Sequence, residues 1–195
     1  MSAEGDSEAD AVPEYDDAYL DRVAGRLAAT YDLQRDFRVR GEGFDLYGEL
    51  SVRNQKQFLH PSISFAHHDS TEHLFARRVE TVREADLDRL VELGHELADE
   101  WITPSDEHFS TDLTFALVAD AFDEGVHEYV SGFSDRTLLK FGYHGHYEIN
   151  LLVVAPDAEE LVASENADVA AAFAMWDPIE PEKSGLLTRL ASRLR

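Results

Sequence analysis

The nine histidines of this chain are the side chains best suited to chemistry, because imidazole binds metals and titrates near neutrality. His67, His68 and His73 flank one expected hairpin tip, with Asp69 among them, and His144 and His146 flank another. If the two tips meet, three imidazoles and the Asp69 carboxylate form a donor set that suits Zn or another divalent metal. A metal-dependent hydrolase would follow. Strand geometry works against part of this set. Adjacent strand residues point to opposite faces, so His67 and His68 ligate together only if the backbone turns there. His144 and His146 share a face only if Gly145 does not reverse the chain between them. Taken singly, each is an ordinary turn or strand residue facing solvent.

Other chemistries find less to work with. Asp45 and Glu49 lie on one face of the clearest strand, with Lys56 further on. Two-metal nucleases use strand carboxylates with a nearby lysine, commonly as Glu, one residue, then Lys. Here Glu49 is followed by Leu50 and Ser51, so the pattern fails and a solvated strand face remains. There is no cysteine and no G-x-S-x-G elbow. Neither G-x-x-x-x-G-K-[ST] nor G-x-G-x-x-G occurs. No catalytic or cofactor-binding residue emerges. Tyr47, Tyr143 and Tyr147 could line a small-ligand pocket on one side of the sheet, although aromatics there also serve as packing.

The final segment, Lys183 to Arg195, departs from the rest of the chain. It carries four bases and no acid, with Leu186, Leu187, Leu190 and Leu194 on one helical face. Such a helix can dock on its own acidic domain or on a protein partner, including a second copy. In molar salt the Debye length falls to about 3 Å, which screens attraction to anionic lipid and disfavours peripheral membrane contact.

These residues need elements to position them. Residues 1–14 read as a disordered acidic leader. An amphipathic helix follows from about Asp17 to Tyr31, with Asp16 or Asp17 as N-cap. Phe44 to Val52 alternates with period two, preceded by a turn at Gly41-Glu42-Gly43 from a short strand at Phe37–Arg40. Ser62–Ala66 and His73–Glu80 form a second hairpin with His67-His68-Asp69-Ser70 as its turn. Thr81 and Glu84 have capping-box spacing for a helix along Leu87, Leu90, Val91, Leu97 and Trp101, closed by Pro104. Leu113–Phe122 is apolar enough for a central strand buried on both faces. Val126–Phe133 reads as a strand, and Thr137–Tyr143 with His146–Val154 as a hairpin. Asp157 and Glu160 open a helix to about Ser164. The fold class is α+β: a mainly antiparallel sheet of about seven to eight strands with helices on one face. The order admits a duplicated helix-plus-strands unit. Residues 15–166 form the single domain, 167–182 a weak helix and Pro-containing linker, and 183–195 the basic helix.

Composition narrows the setting. Forty acids oppose seventeen bases, for a formal charge of −23, and only three of the bases are lysine. The acids run through the whole length, so a nucleic-acid mimic with one acidic face is disfavoured. The absence of a basic stripe disfavours nucleic-acid binding. Self-repulsion of this size loosens a fold in dilute solution and is screened in concentrated salt. A salt-adapted chain is expected. The leader has seven acids and no base in its first seventeen residues, the opposite of a secretory signal. The longest apolar run, Val169–Trp176, is too short to span a bilayer. A cytoplasmic location is expected.

The segments FDLYGELSVRNQKQFLHPSISFAHHDS and RTLLKFGYHGHYEINLLVVAP, within an acid-rich, arginine-over-lysine chain, resemble uncharacterised haloarchaeal proteins known as domains of unknown function. The resemblance covers roughly residues 15–177 and implies no activity, cofactor or active site. The expected function is therefore a binding, interaction or regulatory module of a salt-adapted cytoplasm. A metal-dependent hydrolase and a small-ligand-binding domain are the alternatives.

Overall fold

A computed structural model describes residues 13–55 and 67–177, with backbone alone at 53–55, 67 and 68. It begins with helix α1 (Ala18–Leu27) and a three-stranded meander: β1 (Asp32–Val39), β2 (Glu42–Gln55) and β3 (His67–Arg78). Helix α2 (Glu84–Trp101), β4 (His108–Val118), α3 (Glu124–Gly132) and β5 (Asp135–Leu138) follow. β6 (His146–Ala155), β7 (Glu160–Ala163) and a short α4 (Ala170–Phe173) complete the described fold.

The seven strands form one sheet in the order β1-β2-β3-β4-β6-β5, with β7 also pairing with β6. The sheet is mixed. β3, β4 and β6 run parallel to one another at its centre, and the other pairs are antiparallel. The sheet is mostly antiparallel, as expected, but its two central pairs are parallel because α2 and then α3 with β5 return the chain before the next central strand. A crossover of that length is what parallel pairing requires.

Helices cover both faces rather than one. On β4 and β6, Leu113, Phe115, Leu117, Ile149, Leu151 and Val153 meet α2 and α3. Their alternate neighbours Ala116, Val118, Leu152 and Val154 meet α1 and α4. Every residue of β6 is therefore buried, and each large apolar side chain there contributes about 1.5–3 kcal/mol. The duplicated plan is not seen, since α1 precedes three antiparallel strands whereas α2 precedes one strand and another helix.

Local chemistry explains the remaining differences. Val126–Phe133 is helical because the Asp123 carboxylate caps the Val126 N–H at 2.9 Å. Val126 and Val130, one helical turn apart, are both buried, which outweighs the strand preference of valine and aromatics. The expected helix after Asp157 is a single 3-10 turn (Pro156–Ala158) leading into β7 through left-handed Glu159. Val162 and Leu161 there pack on opposite faces of the sheet, a period-two pattern. His67-His68-Asp69-Ser70 is strand rather than turn, paired with Gln55, Asn54, Arg53 and Val52. α2 is capped two residues later than expected, by the Asp86 carboxylate accepting from the Arg83 N–H at 3.0 Å. The expected strand at Ser62–Ala66 and the helix from Lys183 lie outside the described residues.

Candidate functional site

Two groups of polar side chains and one exposed turn lie toward the amino ends of the parallel strands. The first is on the α2 face. His73 is buried, and its Nδ1 lies 2.8 Å from the Tyr47 hydroxyl, which lies 3.2 Å from Glu49 Oε2. Burial holds the His73 imidazole below its ordinary pKa, against the opposing pull of Glu49. A neutral ring that donates Nδ1–H to Tyr47 leaves the phenol hydrogen for Glu49. All three groups are thus satisfied in one direction. The Trp101 ring stands edge-on to His73 at 5.0 Å, and Phe37 stacks on Tyr47 at 4.1 Å. A second chain on this face links Tyr147 to His95 Nδ1 at 2.9 Å and His95 Nε2 to Asp135 at 3.1 Å.

The second group is on the α1 face. Glu72, Asp112 and Glu148 occupy the same register on β3, β4 and β6, so neighbours in the row are about 4.8 Å apart in backbone position. Above them run Ser70, Ser110 and His146, and below them Leu74, Thr114 and Asn150. Glu148 is 1% exposed and Asp112 8%. The Tyr31 hydroxyl donates to Glu72 Oε2 at 2.5 Å. Arg136, reaching over from β5, and His146 stand 3.4 and 3.5 Å from Glu148 Oε1. Asn150, 3% exposed, accepts from Ser164 through Oδ1 and makes no hydrogen bond through Nδ2.

The third group is the turn between β5 and β6. Leu138, Phe141 and Tyr143 are 59%, 96% and 85% exposed, and they are the exposed large hydrophobic side chains among the described residues. Lys140, Phe141 and Gly142 take left-handed backbone one after another. Gly145 fixes the base of the turn at φ +76, where a Cβ would lie 2.1 Å from the Phe109 carbonyl oxygen. His108 donates to the His144 carbonyl at 2.7 Å and completes the anchor.

A family model described as Domain of unknown function (DUF8052) matches residues 15–175. The chain belongs to that family. No match was found among curated proteins or among solved structures. Among the described residues of this DUF8052 domain no helix is long and apolar enough to cross a membrane.

The domain distributes the metal candidates rather than gathering them. His73 faces α2 and His146 faces the α1 side, with the sheet between them. His144 sits at the exposed turn, 3.3 Å from Asp106. Asp69 pairs with His108 across β3 and β4. The side chains of His67 and His68, and residues Leu186, Leu187, Leu190 and Leu194, are outside the described residues. Among those described, no three His, Asp or Glu side chains could hold a metal ion. Tyr47 and Tyr147 share the α2 face, whereas Tyr143 is on the exposed turn.

Sequence reasoning overlooked the carboxylate row, although a signal exists. Thr71-Glu72-His73-Leu74-Phe75, Thr111-Asp112-Leu113-Thr114-Phe115 and Tyr147-Glu148-Ile149-Asn150-Leu151 all read hydroxyl, acid, two residues, then a large apolar side chain. That repeat marks equal register on neighbouring strands.

Proposed function

We propose that this DUF8052 domain is an interaction module whose working surface is the aromatic turn at 138–143 and whose partner there is a second copy of the chain. The nearly complete exposure of Phe141 carries this reading. Left-handed backbone at a bulky residue costs of order 1–3 kcal/mol, and here that cost holds a phenyl ring out in water. Exposed aromatic clusters are the usual anchors of protein interfaces. Charge complementarity selects the occupant. Residues 136–147 contain Arg136 and Lys140 and no acid, in a chain of formal charge −23. A second copy offers this small cationic, aromatic island an acidic surface.

Light scattering of the full chain in molar KCl tests the proposal. The expected result is a dimer for the natural chain and a monomer for Phe141→Ser/Tyr143→Ser, with unchanged circular dichroism. A natural chain that stays monomeric at high concentration, or a variant that dimerises equally well, overturns it.

A further inference from the structure

β5 ends the sheet. It is the last strand in the order and pairs with β6 alone, so its other edge is open among the described residues. Backbone alternation tells which groups stand there. The Leu139 N–H donates to the Gly145 carbonyl at 2.9 Å, toward β6. Neighbouring residues of an antiparallel strand face opposite ways, so Leu138 and Arg136 direct their N–H and C=O groups outward. Open edges are templates for another strand, and folds commonly blunt them with bulges or charge. The opposite edge is blunted, since β1 breaks at left-handed Asp36 and also carries Asp32, Arg35 and Arg38. β7, on the same side of β6 as β5, is reached through Asp157 and Glu159 and begins with Glu160, like charges that repel a second copy. β5 has no such break. Its Asp135 and Arg136 are of opposite sign and are paired with His95 and Glu148, and it leads straight into the exposed turn.

We infer that β5 pairs with β5 of a second copy, antiparallel about a two-fold axis at Thr137, so that the sheet runs on from one chain into the other. This rests on the aromatic-turn reading and adds a register to it. An axis at Thr137 engages every outward group within the strand, because Arg136 of each copy faces Leu138 of the other, donor to acceptor. It also sets Leu139 opposite Asp135 of the second copy, so Lys140 approaches an acid. The turn then lies at the end of the neighbouring strand where Phe133 stacks on Tyr129 at 6.1 Å. Backbone hydrogen bonds are weak net contributors, since water competes for the same groups. The strand therefore fixes the register, and the aromatic side chains supply the affinity.

Two variants test this in molar KCl. Thr137→Cys puts a lone thiol, in a chain without natural cysteine, on the axis. Facing Cα atoms there stand about 4.5 Å apart, within reach of a disulfide. Cross-linked dimers are expected on mild oxidation, and none from Ser134→Cys, about 20 Å from its counterpart. Leu138→Pro removes one outward N–H and no bond to β6, and the Leu138 φ of −81 already suits proline. It is expected to weaken dimerisation about tenfold, because each dimer loses two hydrogen bonds, with circular dichroism unchanged. Leu138→Val keeps the N–H and is expected to match the natural chain. A dimeric natural chain whose Thr137→Cys variant gives no cross-link, or whose Leu138→Pro variant dimerises like Leu138→Val, overturns the strand pairing and leaves the aromatic turn as the contact. A monomeric natural chain overturns both.

Discussion

Asp17 joins two parts of the molecule through one carboxylate. It accepts from the Tyr19 and Leu20 N–H groups at 2.8 and 3.0 Å, capping α1, and it also receives the Arg78 guanidinium at the end of β3. Burial alone would raise its pKa, but the Arg78 and backbone hydrogen bonds outweigh that and hold it below the ordinary carboxylate value. A depressed folded pKa stabilises above the unfolded value and is lost as pH falls through the folded one. Asp17→Asn should therefore flatten the loss of stability below about pH 4 and cost about 1 kcal/mol at neutral pH, measured by urea unfolding. His73 titrates by the same rule at a different pH. Its folded pKa is depressed by burial, so its contribution is complete above about pH 6.5 and falls as the unfolded chain takes up the proton. His73→Gln should remove part of the stability change between pH 7 and pH 5. An unchanged pH profile would show that the ring takes up its proton alike in the folded and unfolded chain, and would contradict the depressed folded pKa.

At the scale of elements, glycines separate backbone need from tolerance. A Cβ at Gly145 meets the Phe109 carbonyl at 2.1 Å, and one at Gly94 meets Ile149 and Phe115 at 2.9 and 3.1 Å. Gly132 in α3 has nothing within 4 Å. Gly145→Ala should destabilise by about 2 kcal/mol or more and Gly94→Ala by about 1–3 kcal/mol. Gly132→Ala should be neutral or slightly stabilising. Thermal denaturation of the three variants gives this order or refutes it. The elements also show what sequence could and could not convey. Period-two alternation in Phe44–Val52 and the apolar run after Leu113 identify β2 and β4, because each residue there answers to one face or to both. α1 is equally legible, since Leu20, Val23, Ala24 and Leu27 form its buried stripe. α3 and β7 were not legible. Val126, Tyr129 and Val130 suit either period until Asp123 is seen to cap them, and β7 exists only because β6 leaves an edge for it. The expected histidine tip at 67–70 rested on placing a turn where β2 and β3 are still paired. The row of acids was hidden for a similar reason, because register between distant strands is set by α2 and α3 rather than by neighbouring residues.

At the scale of the whole molecule, charge is the governing quantity. A formal −23 over 195 residues repels itself in dilute buffer and is screened within about 3 Å in molar salt. Unfolding midpoints in urea should therefore rise as KCl is raised from millimolar to molar. A midpoint independent of salt would contradict the view that the acids are a solvated coat. The same screening governs self-association, since two such chains repel until salt is added, and dimers should accumulate as KCl rises. Pulsed dipolar spectroscopy on Ser134→Cys carrying a nitroxide, beside the aromatic turn, reads that contact most directly. The account predicts a single short distance between labels on two chains in molar KCl, lost in Phe141→Ser/Tyr143→Ser. Dipolar coupling that is absent in the natural chain, or unchanged in the double variant, would contradict it.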